Sequence, residues 1–342
     1  MQQRLPFEVR EMYMDYASIV SMAKALGFAQ IGVCSAQPFI TQKETVESQP
    51  ELRERRQLHF IPQVEIPWAS ALLILIWPYQ QAALPQNQDS IFLDSYYAAS
   101  NQAYQAAKEL EEKIKALGYQ AQANVAYPAK AAAVRAGLGV IGDNGLLITP
   151  DYGTRVVLIL MATDALTTDN KVERLPGECL HCGKCMASCP TGAIDCHGMS
   201  YPERCLRNYM MEGLVVPENL RPLMDMKMLG CDLCQRVCPM QKNKDEVQNH
   251  DFFLDDFLTS EETVFKKNVL RLGNVIGSNA ARPQRVRAQA ALLAGNRKRE
   301  KDLDVLKMWE NAQFEAVREH AKWAIKQIEH HTLGLDQRDE KR

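Results

Sequence analysis

Two cysteine runs, ECLHCGKCMASCP at Glu178–Pro190 and GCDLCQRVCP at Gly230–Pro239, constrain this chain more than any other feature. The ten cysteines stand at 34, 179, 182, 185, 189, 196, 205, 231, 234 and 238, so nine of them crowd into one 60-residue segment. In a reducing compartment such a segment is a metal site, because disulfide frameworks belong to small secreted chains. The first run has C-x2-C-x2-C-x3-C-P order, in which three thiolates hold one iron-sulfur cubane and the fourth, before the proline, holds the other. Applied here, Cys179, Cys182, Cys185 and Cys238 hold one [4Fe-4S] cluster, while Cys189, Cys231 and Cys234 hold the second with one further ligand. That ligand is Cys205 or Cys196. The PTGAID turn carries Cys196 away from Cys189, and the YPERCL context favours Cys205. Eight thiolates with two Cys-Pro endings also separate this pattern from a zinc ribbon built on C-x2-C pairs. Cys34 and Cys196 are then left over as small buried hydrophobes.

Electrons held by clusters must go somewhere, and composition narrows the destinations. The 342 residues are 46% hydrophobic and 24% charged, enough for two or three compact units. Net charge is -2 and the isoelectric point about 6.4, so any nucleic-acid binding must come from a local patch rather than a global field. The N-terminus lacks a basic segment followed by an apolar core, and the longest apolar run, Ala71–Trp77, falls well short of the roughly 20 residues that cross a bilayer. These features predict a cytoplasmic protein with no membrane partner.

Helix-period spacing over residues 12–27, a strand at FAQIGVC, a buried strand at ALLILIW, a long helix at SNQAYQAAKELEEKIKALGY, a second at AKAAAVRAG and a strand at RVVLILMATD predict an α/β (α+β) domain over residues 1–170. Residues 171–245 form the ferredoxin-like two-[4Fe-4S] domain. Residues 246–342 read as all-helical, with apolar spacing in DFFLDDFL, VFKKNVLRLG, RVRAQAALLAG and FEAVREHAKWAIKQI, as in a fragment of a HEAT-like helical repeat.

GLGVIG at Gly137–Gly142 satisfies G-x-G-x-x-G, with Asp164 downstream as for a dinucleotide ribose. Phosphate binding needs strand, glycine turn, then helix. Here a helix precedes the turn and GLLITP follows it as a strand, so the dinucleotide reading fails on context. The glycines either let the backbone approach a large flat group or make a tight turn.

KAAAVRAGLGVIGDNGLLITPDYG, the two cysteine runs, RCLRNYM and VREHAKWAI together resemble the epoxyqueuosine reductases, cobalamin- and iron-sulfur-dependent enzymes of tRNA modification. The resemblance runs from GFAQIGV to VREHAKWAI. It implies a corrinoid in the N-terminal domain, with Gly137, Leu138, Gly139, Gly142, Asn144, Leu146 and Leu147 against the macrocycle, and two clusters feeding cobalt from a donor such as ferredoxin or flavodoxin. It implies reduction of epoxyqueuosine to queuosine in tRNA. The D-x-H-x-x-G pattern that places histidine under cobalt in methyl-transferring corrinoid proteins is broken at Ser200 in DCHGMS, so base-off cobalamin is expected.

The chain departs from that family at one place. Epoxyqueuosine reductases carry an acidic residue, their proton donor, shortly before the A-G-L-G turn, and Gln122–Gly139 contains no Asp or Glu. The same region resembles corrinoid reductive dehalogenases, which use a tyrosine acid with Asn and Arg nearby. Tyr97 (or Tyr96), Asn124 and Arg155 are the matching candidates here, with Arg155 favouring phenolate. A second function therefore stands beside the first: a paralogous reductase cleaving C–X or C–O bonds of a small molecule. A third is a non-catalytic electron carrier or corrinoid-reactivating protein.

For tRNA, the candidate contact is the basic region Arg282–Lys301, comprising Arg282, Arg285, Arg287, Arg297, Lys298, Arg299 and Lys301.

Overall fold

The continuous apolar run of Ala71–Pro78 forms the central strand it predicts, and Ala71 through Ile76 are fully buried. Each such Leu or Ile stabilises the fold by about 1.5–3 kcal/mol relative to exposure. A four-stranded sheet forms in the order Gln30–Ser35, Ala71–Pro78, Val156–Thr163, Ala121–Ala123. Gln30 pairs with Ile76 and Ser35 with Ala71, while Ala121 pairs with Thr163; both outer pairings are antiparallel. The sheet is thus of the α+β kind at both edges. The computed structural model describes residues 13–48, 59–87, 89–166, 178–195, 201–242, 245–248 and 250–339.

The chain divides into two units: residues 1–78, 102–140 and 157–177, and residues 79–101, 141–156 and 178–342. In the first, helices Tyr16–Ala25 and Ala129–Arg135 accompany the sheet. The Leu138 side chain lies against Gly32 of the edge strand, so that leucine belongs to the core. Cys34 is buried, as expected of a leftover cysteine, and burial pushes its thiol up to about 11.

In the second unit the core gathers Ile91, Leu93 and Tyr97 with residues of the C-terminal helices Glu262–Ile276, Pro283–Arg297, Leu303–Trp309 and Glu315–Asp339. Helices Pro283–Arg297 and Glu315–Asp339 approach closely because Gly295 has no side chain. A Cβ there would lie 2.7 Å from Trp323 and 2.8 Å from the Ala324 backbone.

DFFLDDFL does not form the helix its spacing predicts; only a 3-10 turn, Leu254–Asp256, appears. Leu254, Phe257 and Leu258 are buried at helical spacing, but the carboxylates between them have other partners. Asp255 pairs with Arg299 and Lys301, and Asp256 accepts from Phe253 N–H and Arg271. Likewise GLLITP yields only the short strand Leu147–Ile148, because Thr149 and Gly153 bridge to close the next turn.

Candidate functional site

The cysteine segment has little periodic apolar character, and its helices are correspondingly short: Lys184–Ser188, Leu206–Glu212 and Leu233–Arg236. They bring the predicted thiols together in two groups. Cys179, Cys182, Cys185 and Cys238 line one recess with Asp143, Asn144 and Ile148. Burial raises the Cys185 thiol, as do Asp143 and Cys238; burial raises the Cys238 thiol, as do Cys179 and Cys182.

The second group is centred on Cys234. Burial pushes its thiol well up, and the neighbouring Cys231, Cys205, Cys189 and Cys185 push it further. Cys231 is likewise raised to about 11 by burial, with Cys205 contributing. Cys205 therefore stands where the fourth ligand is needed; Cys196 lies outside the described residues. Burial raises the Cys189 thiol, but hydrogen bonds from Thr191 and from the Ala193 and Ile194 amides bring it below the usual thiol range. Mutually repelling thiols collected in two fours are unfavourable as such and suit thiolates that share iron.

Tyr97 and Arg155 lie in the second unit, Asn124 in the first. Asn124 is an exposed turn residue with φ of +59°. Arg155 is 3% exposed and its guanidinium goes to Asp232 at 3.5 Å and to Gln81. The cation at Tyr97 is Arg207, which the sequence reading missed. Its Nε donates to Tyr97 Oη at 3.0 Å, and its guanidinium lies 4.6 Å from the Tyr96 ring centroid. Tyr96 and Tyr97 meet edge to face. Nothing in local spacing links positions 97 and 207, although Arg207 stands two residues after Cys205, inside RCLRNYM.

Burial holds the Tyr97 phenol well above its usual range, with Arg207 opposing. Asp94 is raised to about 6 by burial and by Asp232, against the Tyr96 amide it caps and the charges of Arg207 and Arg155. Asp94 and Tyr97 both press on Gly230, where φ is +89° and a Cβ would lie 2.4 Å from the Asp94 Cβ. Only glycine fits immediately before Cys231.

Of the predicted corrinoid-contacting residues, Gly137, Leu138 and Gly139 fall in the first unit, and Gly142, Asn144, Leu146 and Leu147 in the second. Gly137 and Gly139 have φ of +74° and +156°, so the turn itself requires them. The turn closes through Gly142 N–H to Leu146 O and is braced by Asn144 Oδ1 accepting from Leu146 N–H. Leu138 and Leu147 bury their side chains, leaving backbone as what these two positions can offer a cofactor. Beside the loop that lacks a carboxylate, Tyr127 Oη donates to Glu65 at 3.2 Å, so an acid from elsewhere in the chain reaches that loop.

The basic region is largely committed internally. Arg299 is buried among Asp89, Asp255 and Asp302; Arg287 pairs with Glu262 and Lys301 with Asp255. Arg297 donates to Ser90 O and Arg285 to Asn279 O. Arg282 and Lys298 are exposed. Among the described residues no helix is long and apolar enough to cross a membrane.

Residues 178–241 match the family model described as a 4Fe-4S double cluster binding domain. Among curated proteins, the chain is 30% identical over 199 residues to the epoxyqueuosine reductase of Aliivibrio fischeri, covering 53% of each chain. It is 26% identical over 253 residues to that of Bacillus cereus, covering 68% of this chain and 66% of the relative. It is 27% identical over 347 residues to that of Shewanella oneidensis, covering 90% and 87%. The chain thus spans between about half and two thirds of the first two relatives it matches. A crystal structure of selenomethionine-labelled epoxyqueuosine reductase superposes with a TM-score of 0.74 at 24% identity, covering 95% of this chain and 94% of that one. Epoxyqueuosine reductase solved with an epoxyqueuosine-modified tRNA stem loop gives 0.73 at 24%, covering 91% and 89%. These matches show the family resemblance that the motifs carry, and the fold it implies.

Proposed function

We propose that this chain is a cobalamin-dependent iron-sulfur oxidoreductase of the epoxyqueuosine reductase kind, reducing epoxyqueuosine to queuosine in tRNA. The observation that carries the reading is the combination of two thiol quartets with similarity to epoxyqueuosine reductases over 90% of the chain in one relative. In this reading residues 1–170 are the corrinoid-binding catalytic region, 171–245 hold the clusters and 246–342 are a HEAT-like helical end. The protein works in the cytoplasm, with ferredoxin or flavodoxin as donor.

Cys179, Cys182, Cys185 and Cys238 would hold one cluster, and Cys189, Cys205, Cys231 and Cys234 the other. The turn from Gly137 to Leu147 would offer backbone to base-off cobalamin, whose Co(I) state supplies a strongly reducing centre when bound. The chain's own residues supply the rest. Tyr97 would donate a proton, and the exposed Arg282 and Lys298 are the members of the basic region left to meet RNA phosphate.

A second reading, reductive C–X or C–O cleavage on a small molecule, is favoured by one observation: a tyrosine held by an arginine, in a chain whose loop lacks the family's carboxylate. Mass spectrometry of tRNA from strains with and without the gene separates the two. Epoxyqueuosine accumulating on deletion and cleared by restoring the gene supports the first; unchanged queuosine supports the second.

A further inference from the structure

Arg207 joins two things that the reductive reaction needs, and the inference rests on the reading just given. Its Nε donates to Tyr97 Oη, so that oxygen is the acceptor and the phenolic hydrogen must point elsewhere. Among the described residues that hydrogen has no acceptor, although Tyr97 is only 3% exposed. A buried donor without a partner is destabilising, and a ligand oxygen would satisfy it. On its other side, Arg207 follows Cys205 by two residues on the helix Leu206–Glu212, whose N-cap is Cys205 itself. The Tyr97 ring rests on Gly230, the residue before Cys231, and Cys231 packs on the same core as Tyr97. Arg207, Tyr97 and Gly230 are in contact, with Cys205 two residues before Arg207 and Cys231 directly after Gly230.

We propose that Arg207 is a positioning residue that couples electron arrival at the second cluster to proton donation by Tyr97. A fixed cation two residues along the chain from Cys205 favours the reduced, more negative cluster and so raises its potential. The same cation aims the phenol and stabilises the phenolate left behind. For an epoxide, both C–O bonds break, a C=C bond forms and the oxygen leaves as water, consuming two electrons and two protons. The electrons come singly from the reduced [4Fe-4S] clusters, recharged by a low-potential one-electron donor. The Tyr97 O–H bond breaks and its proton goes to the substrate oxygen. The phenolate stays in the Arg207 hydrogen bond until water reprotonates it, and water supplies the second proton.

The test uses the full chain with reconstituted clusters. In a redox titration followed by electron paramagnetic resonance, without substrate, Arg207→Gln is expected to move one of the two cluster potentials to a more negative value. Tyr97→Phe is expected to leave both in place, and Arg207→Lys, which keeps the charge, to stay near wild type. With cobalamin and epoxyqueuosine-containing tRNA, Arg207→Gln, Arg207→Lys and Tyr97→Phe should each lower kcat at least about tenfold with KM little changed. Combining Arg207→Gln with Tyr97→Phe should be no worse than the poorer single change. Unmoved potentials in Arg207→Gln overturn the coupling, as does unchanged turnover in that variant when wild type is active. An inactive wild type with intact clusters defeats the epoxyqueuosine reading instead, and the potentials still decide the inference.

Discussion

Arg155 reaches Asp232 at 3.5 Å with both side chains at most 4% exposed, so an ion pair sits inside the protein one residue after Cys231. Asp232 also accepts from Arg236 Nε at 2.8 Å. Removing one partner of a buried pair leaves the other charge uncompensated, at a cost of roughly 3–5 kcal/mol. Asp232→Ala should therefore lower stability by about that amount in urea unfolding, and release iron faster under a chelator. The double change Asp232→Ala with Arg155→Met should recover part of the loss.

Cys205 and Cys196 make opposite predictions. Cys205→Ser should halve the iron bound after anaerobic reconstitution, because its thiol is grouped with Cys231 and Cys234. Cys196→Ser should leave iron unchanged. Iron and sulfide assays decide it.

His320 is 1% exposed and neutral by its hydrogen bonds. Its Nε2 accepts from the Val216 amide at 2.9 Å, and its Nδ1 lies 3.0 Å from the Ala288 carbonyl, which can only accept. Burial pulls it down to about 4, from 6.5 when free. Between those values the unfolded chain binds the extra proton, so stability is full above about pH 6.5 and falls as pH drops toward 4, by roughly 3 kcal/mol in all. Urea midpoints from pH 7 to 4.5 should decline, and His320→Gln should flatten its share of the slope.

Gly295 sits inside a helix, where alanine would ordinarily gain up to about 1 kcal/mol. Its Cβ would overlap Trp323 and the Ala324 backbone, and such overpacking costs about 1–3 kcal/mol. Gly295→Ala should lower Tm by several degrees. A rise in Tm would mean that the two helices can part at little cost.

What was legible in the sequence was what local chemistry decides. Ala71–Pro78 and Val156–Thr163 declare themselves as strands by unbroken apolar runs, and the cysteine spacing predicts which thiols the structure groups. Long-range pairings were not legible. Arg155 looked like the partner of Tyr97 until Asp232 and Gln81 took it, and Arg207 took its place from 110 positions away. The commitment of Arg299 was hidden for the same reason, since the aspartates that neutralise it include Asp89 and Asp255, far from it in sequence. DFFLDDFL forms only a 3-10 turn, where the Asp256 side chain takes the Phe253 N–H and Asp255 turns to Arg299.

Under the proposed function, this chain spends its electrons on epoxyqueuosine through cobalamin. The most direct measurement incubates the anaerobically reconstituted protein, cobalamin and a low-potential reductant with epoxyqueuosine-containing tRNA, and reads the nucleoside by mass spectrometry. The expected product is queuosine, lighter by one oxygen atom and formed only with cobalamin present. Intact epoxyqueuosine, from protein carrying both clusters and bound cobalamin, would rule the proposed function out.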